Sequence, residues 1–351
     1  MNKSLAGIFA IGLLASTTQL PAQTYTLTDL GAVAPETVSQ GYGLNSVGQA
    51  AGTSSNPNGA IATLFSDGKA FNLGLLEAND VSVATAINSS TEVVGFEYFS
   101  STAANTSHAW GFSNGKLTDI HSPSLFPAGT KALGINTSGV VVGQGYLTSA
   151  SFHVFVYENG QMVDIGPPGS FQANPVAITD AGEILGSYYT SATDNAQFLY
   201  SNGKFTKLAA GPAGTSTSAS AINSVGVIVG SISVNGLSHA ALYSNSAWTD
   251  LGTLPGATAG TGATGINTAG QIIAVASYRV TSYHPFIPAK TVACIIQNGV
   301  VVDLNTLIPS NTGFNLSRAI AINDAGQILC NTKTQIGTKV VNQHAVLLTP
   351  K

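Results

Sequence analysis

Charge is scarce in this sequence. Asp, Glu, Lys and Arg together make up 8% of it, against about a quarter in typical globular proteins. Solubility must therefore come from hydroxyls and amides, and the segments between apolar runs are rich in Ser, Thr and Asn. The 12 basic and 16 acidic residues leave a formal net charge of −4 with no basic run. That pattern gives no electrostatic support for nucleic-acid binding. Long apolar runs are missing too. Leu5–Ala15, of 11 residues, is too short to span a bilayer. Between Lys3 and the small-residue site Leu20-Pro21-Ala22 it reads as a secretion signal over residues 1–22. Residues 23–351 then form one secreted or periplasmic domain with no membrane span. Cysteine occurs only as Cys294 and Cys330, in different repeats and at apolar strand positions. Two buried free thiols are expected rather than a disulfide. No G-x-S-x-G elbow, H-E-x-x-H, C-x-x-C or G-x-x-x-x-G-K-[ST] Gly-rich phosphate loop is present, so the commonest hydrolase, metalloprotease, redox and P-loop signatures are excluded.

What the sequence has in abundance is self-similarity. A motif such as GLNSVGQAAG (from Gly43) or GINTSGVVVG (from Gly134) occurs seven times, with its Asn at 45, 88, 136, 223, 267 and 323 and Thr at 179. The spacings are 43, 48, 43, 44, 44 and 56 residues, a period suited to four-stranded propeller blades. One strand ends in Ile-Asn. The Asn opens a turn, and a Gly three residues on supplies the positive φ, with Thr91 in that place once. A Val/Ile-rich second strand follows, then a variable loop. The third strand reads HAWGF, HVFVY or HAVLL and turns at Asn-Gly or a relative into a fourth such as KLTDI.

The fold class this predicts is all-β: a seven-bladed β-propeller of four-stranded antiparallel blades. Small residues (Gly43, Ala86, Gly134, Ala177 and their equivalents) stand before the Ile or Leu of each first strand, as expected where strands crowd a central axis. The last third strand, HAVLL, has no fourth strand after it, whereas YTLTDLG from Tyr25 matches the fourth-strand pattern. The N-terminal strand is expected to complete the last blade and close the ring.

Four of the six histidines share one repeat position: His108, His153, His239 and His344. Lying in separate blades, they are too far apart to share an ion, and Ile61, Ala196 and Val292 replace them elsewhere. No metal and no cofactor is expected. Counting outward from the Asn-Gly turns places each His diagonally across from an Asp: His108 with Asp119, His153 with Asp164, His239 with Asp250, and His344 with Asp29 of the N-terminal strand. Each pair is expected to be structural.

These units resemble the HAF repeats of exported bacterial proteins. The resemblance rests on His108-Ala109-Trp110, His239-Ala240-Ala241 and His344-Ala345-Val346, on the IN-type turns, and on Asp29-Leu30-Gly31 and Asp250-Leu251-Gly252. It covers nearly all of Tyr25 to Lys351, and the first, fourth and sixth repeats depart from it at the His position. It implies an exported repeat protein and brings no catalytic residues.

Function, if carried by side chains, should sit on the variable loops. They hold Phe96, Tyr98, Phe99, Tyr146, Tyr188, Tyr189, Tyr278 and Phe286 among hydroxyls and amides, a mixture suited to sugar rings. The expectation is a non-catalytic binding propeller that recognises a glycan or surface protein through this face. One alternative is a polysaccharide lyase or hydrolase using Arg279, Tyr283 and His284, the only acid–base neighbourhood there. The absence of paired carboxylates on one loop speaks against a glycoside hydrolase. Another is a structural cell-surface or matrix protein.

Overall fold

The computed structural model describes residues 23–56, 59–77, 80–99, 106–191, 195–279, 290–336 and 339–351. The expected secretion signal lies outside them. Among the described residues, no helix is long and apolar enough to cross a membrane.

The chain is all-β and propeller-like, built from four-stranded antiparallel units. The first unit runs Val38–Leu44, Ala50–Asn56, Gly59–Ser66 and Lys69–Asn72. The second runs Val81–Ile87, Val93–Tyr98, Ser107–Ser113 and Lys116–Asp119. The third runs Thr130–Ile135, Val141–Tyr146, Phe152–Glu158 and Gln161–Asp164. The fourth, fifth and sixth open with Gln172–Ile178, Thr217–Ile222 and Gly260–Ile266. The seventh joins Leu316–Ile322, Ile328–Thr332 and Ala345–Pro350 to Tyr25–Asp29, which pairs antiparallel with Ala345–Pro350. A small hairpin of Thr334–Ile336 and Lys339–Asn342 interrupts it.

Local chemistry explains the hairpins. Asn114 and Gly115 adopt φ of 52° and 74°, the two left-handed residues of a type I′ turn whose twist matches the flanking strands. The small-x-small pattern of each first strand marks a β-bulge: pairing shifts between Gly41 and Gly43, Ala84 and Ala86, Ala132 and Gly134, and at every equivalent place. The extra residue bends the strand. A close approach adds a second reason for small side chains, because a Cβ on Gly43 would lie 2.9 Å from Ala86 Cα in the next unit.

Apolar clusters lie between successive units. Ala51, Ala62 and Leu73 of the first pack on Ala84, Val93 and Trp110 of the second. The seventh and first do the same through Leu329, Leu347, Ala50 and Phe65. Burying a side chain such as Phe65 contributes about 2–3 kcal/mol, so the stacking of units supplies most of the core. Cys294 and Cys330 are buried free thiols. Burial pushes Cys294 up to about 12 and raises Cys330 further, which leaves both unreactive.

Polar links run between units as well. The Nδ2 of Asn45 donates to the carbonyl of Asn88, Asn88 to Asn136 and Asn136 to Thr179. Asn223 donates to Asn267, Asn267 to Asn323, and Asn323 to Asn45 at 3.0 Å. Leu44, Ile178, Ile222, Ile266 and Ile322, from five units, line one cavity of about 300 Å³ beside these turns.

Candidate functional site

On the loop side, the second, third and fourth units meet at one cluster. Phe96 and Tyr98 alternate on the second strand of the second unit and so share a face, their rings 5.2 Å apart and perpendicular. Lys131, on the first strand of the third unit, reaches across. Its Nζ lies 4.9 Å from the Phe96 ring centre, 4.8 Å from Tyr98 and 5.5 Å from Tyr146. It also donates to Tyr98 Oη at 2.8 Å. The ring faces take the place of a counter-ion, and among the described residues Lys131 makes no salt bridge. Tyr146 Oη donates to Gln144 Oε1 at 2.8 Å, and Gln144 Nε2 donates to Asn174 Oδ1 in the fourth unit. The cluster therefore offers one cation, an exposed aromatic (Tyr98, 39%) and a chain of amides on a rigid scaffold.

The other loop aromatics are placed differently. Phe99 is buried, its ring 4.5 Å from His108, and so is not a surface platform as expected. Tyr188 is half-buried against Phe198 and Tyr189 against Phe171. Tyr278 packs at the edge of the sixth unit's core, with Lys290 over its ring. The reason is common to them: apolar ring area at a strand end has a neighbouring core to cover, and covering it removes more surface from water than facing solvent does. Of the suggested acid–base residues, Arg279 is exposed and its backbone N–H donates to Thr258 Oγ1 at 2.7 Å. Tyr283, His284 and Phe286 lie outside the described residues.

Each recurring His meets an Asp. The Nδ1 to carboxylate distance is 2.9 Å for His108–Asp119, 2.8 Å for His153–Asp164, and 2.9 Å for both His239–Asp250 and His344–Asp29. The same carboxylates accept backbone N–H bonds two residues on, from His121, Gly166, Gly252 and Gly31. Asn72 does this for Gly74 in the first unit, which has no His. The Asp is thus a turn cap whose second oxygen orients the imidazole, and a cavity of about 300 Å³ lies beside the His108–Asp119 pair, with Leu76 and Phe99 also in its lining. Among the described residues, no three His, Cys, Asp or Glu converge to hold a metal.

Several features had no mark in the sequence reading. His121 stacks on His108 at 4.0 Å and bonds Thr130 Oγ1. Burial, then the His108 charge, lower its pKa to about 4 against the pull of Asp119. Glu97, fully buried, accepts the N–H groups of Leu76 and Glu77 at 2.8 Å each. Burial raises its pKa although both bonds oppose the shift. Lys131, Gln144 and Asn174 were missed because only packing between units brings them together. The signal available was their register: Lys131 and Asn174 both stand five residues before the turn residue that ends their first strand.

No family model and no curated protein sequence matches the chain. Among solved structures, it is similar to a puromycin hydrolase at TM-score 0.54 and 10% identity, over 88% of this chain and 53% of that one. It is similar to a prolyl endopeptidase at 0.52 and 11%, over 80% and 42%. The β-propeller domain of the trilobed protease from Pyrococcus furiosus aligns at 0.47 and 8%, over 72% and 79%. The chain thus spans about half the length of the first two. At these identities the likeness shows a propeller fold alone.

Proposed function

We propose that the chain is an exported, non-catalytic binding propeller of the HAF-repeat type, with seven blades in a ring closed by Tyr25–Asp29. The rim around Lys131 is the site through which it recognises a glycan. Closure is supported by like contacts at three seams, the one between the seventh and first units among them. The hydroxyls of Ser82 and Thr130 accept the third-strand N–H of Ala62 and Ala109 in the preceding unit, and Ser39 accepts that of Ala345. The bond from Asn323 to Asn45 continues the links between the other turns. Export is supported by the apolar segment after Lys3.

The observation that carries the binding reading is the Lys131 cluster. Tyr98 offers an exposed ring face for sugar C–H groups, and Gln144, Asn174 and Lys131 offer edge hydrogen bonds beside it. The test is a binding screen of the purified protein against a broad glycan panel, with each bound glycan checked for cleavage. Saturable binding without cleavage, weakened by Tyr98→Ala, is the expected result. Cleavage of a bound polysaccharide would move the reading to the lyase alternative, and absence of any saturable glycan would leave a structural role.

A further inference from the structure

We propose that the rim selects a carboxylate-bearing saccharide, with Lys131 as the anchor for its carboxylate. This rests on the glycan reading above and narrows it. Lys131 is a cation whose described surroundings are three rings and one phenol oxygen. One of its three N–H donors is satisfied by Tyr98, and no other acceptor among the described residues bonds it. Ring faces stabilise an ammonium but do not neutralise it. The tip of the side chain therefore keeps both a full charge and donor capacity, while its stem is held in place. A carboxylate in front of it gains a charge-assisted hydrogen bond without having to order a free lysine.

The equivalent positions of the other units agree in sign. The equivalent first-strand positions, defined by their pairing with the second strand, hold Arg318 in the seventh unit and Gln40, Val83, Asn174, Ser218 and Gly262 elsewhere. This row has two cations and no carboxylate, in a chain whose acidic residues outnumber its basic ones, 16 to 12. Arg318 is exposed and, like Lys131, makes no salt bridge among the described residues. A neutral glycan would need neither charge. Exposed Tyr98, next to the ammonium, supplies the apolar face that distinguishes a pyranose from a simple anion.

The experiment is calorimetric titration of the full protein with trigalacturonate and with its fully methyl-esterified form, which keeps the sugar but not the charge. The expected result is roughly tenfold or greater preference for the acid, reduced in 500 mM NaCl relative to 50 mM. Lys131→Met should abolish the preference and Lys131→Arg should keep most of it. Equal binding of acid and ester overturns this inference and leaves the glycan reading standing. A preference that survives in Lys131→Met overturns the anchor. Binding of neither, with no other glycan bound in the panel, overturns both. Tetraglutamate binding as tightly as the acid saccharide would show that an acidic peptide, not a sugar, is the ligand class. The acid–ester comparison on the unmutated protein decides the question even if Lys131→Met fails to fold.

Discussion

At the scale of single residues, the turn Asn does two jobs with one side chain. In Asn88 the Oδ1 accepts the N–H of Ser90 and Glu92, closing its own turn, while Nδ2 donates to the carbonyl of Asn136 in the next unit. Thr179 does only the first: its Oγ1 accepts from Glu183 N, and it has no amide to reach Asn223. One link is missing at that seam. Thr179→Asn should supply it, adding about 1 kcal/mol for a buried hydrogen bond and on the order of 1 °C to the melting temperature by the usual size scaling. Asn88→Ala should cost about 2–3 kcal/mol, because it strands a buried carbonyl and two turn N–H groups together. Calorimetry on the two variants checks both. Destabilisation by Thr179→Asn would show that the seam is closed in some other way.

At the scale of elements, strand volume is shared across the second, third and fourth units. Gly95 stands opposite Trp110, Gly143 opposite Phe155 and Gly186 opposite Phe198, whereas Ala274 faces Cys294 and Cys330 faces Val346. In these three units a glycine on the second strand makes room for an aromatic on the third, whereas Gly52 faces Thr63 and Gly230 faces Ala241. A Cβ on Gly95 would strike the Val83 carbonyl oxygen and come within 2.5 Å of Trp110 Cζ2. Gly95→Ala is therefore expected to cost about 2–3 kcal/mol through overpacking, and Gly95→Ala with Trp110→Leu less than the sum of the two single changes. Chemical denaturation of the three variants measures the coupling; strict additivity would deny it. This scale was also the most legible in the sequence. Asn-x-x-Gly and Asn-Gly are local turn signals, and once Asn114-Gly115 is a two-residue turn, counting outward brings Trp110 opposite Asp119 and His108 diagonal to it. Contacts between units left no such trace. The Asn links and the Lys131 cluster join residues tens of positions apart, and period alone does not say which ring turns inward. Phe99 and Tyr98 are adjacent in sequence, yet one is buried and the other exposed, because alternation along the strand sends them to opposite faces.

At the scale of the whole molecule, the question is what joins the two ends of the chain. Tyr25–Asp29 is the last strand of the seventh unit, with Tyr25 fully buried and its N–H on the Leu307 carbonyl at 2.9 Å. Removing this strand should lower the melting temperature sharply and, by exposing the edge of Ala345–Pro350, promote association between copies; an unchanged melting curve would refute the closed ring. The His344–Asp29 pair makes the same junction sensitive to pH. Its hydrogen bond to Asp29 raises the His344 pKa, as does the Asp29 charge, against opposing burial. Burial alone would raise Asp29, but the bonds from His344 and Gly31 N, with the His344 charge, bring it below its ordinary value. The signs follow from linkage. The raised His344 contributes fully below the unfolded value of about 6.5, and its contribution is lost as pH rises through the folded pKa. The lowered Asp29 contributes above about 3.9 and is lost as pH falls through its folded pKa. The pair therefore holds the junction best between about pH 4 and 6.5. The melting-temperature gap between the unmodified protein and His344→Ala should be wide at pH 5.5 and narrow at pH 8.5. A gap that stays constant or widens with rising pH would mean that packing of the imidazole, 5.8 Å from the Phe314 ring, and not its charge, secures the N-terminal strand.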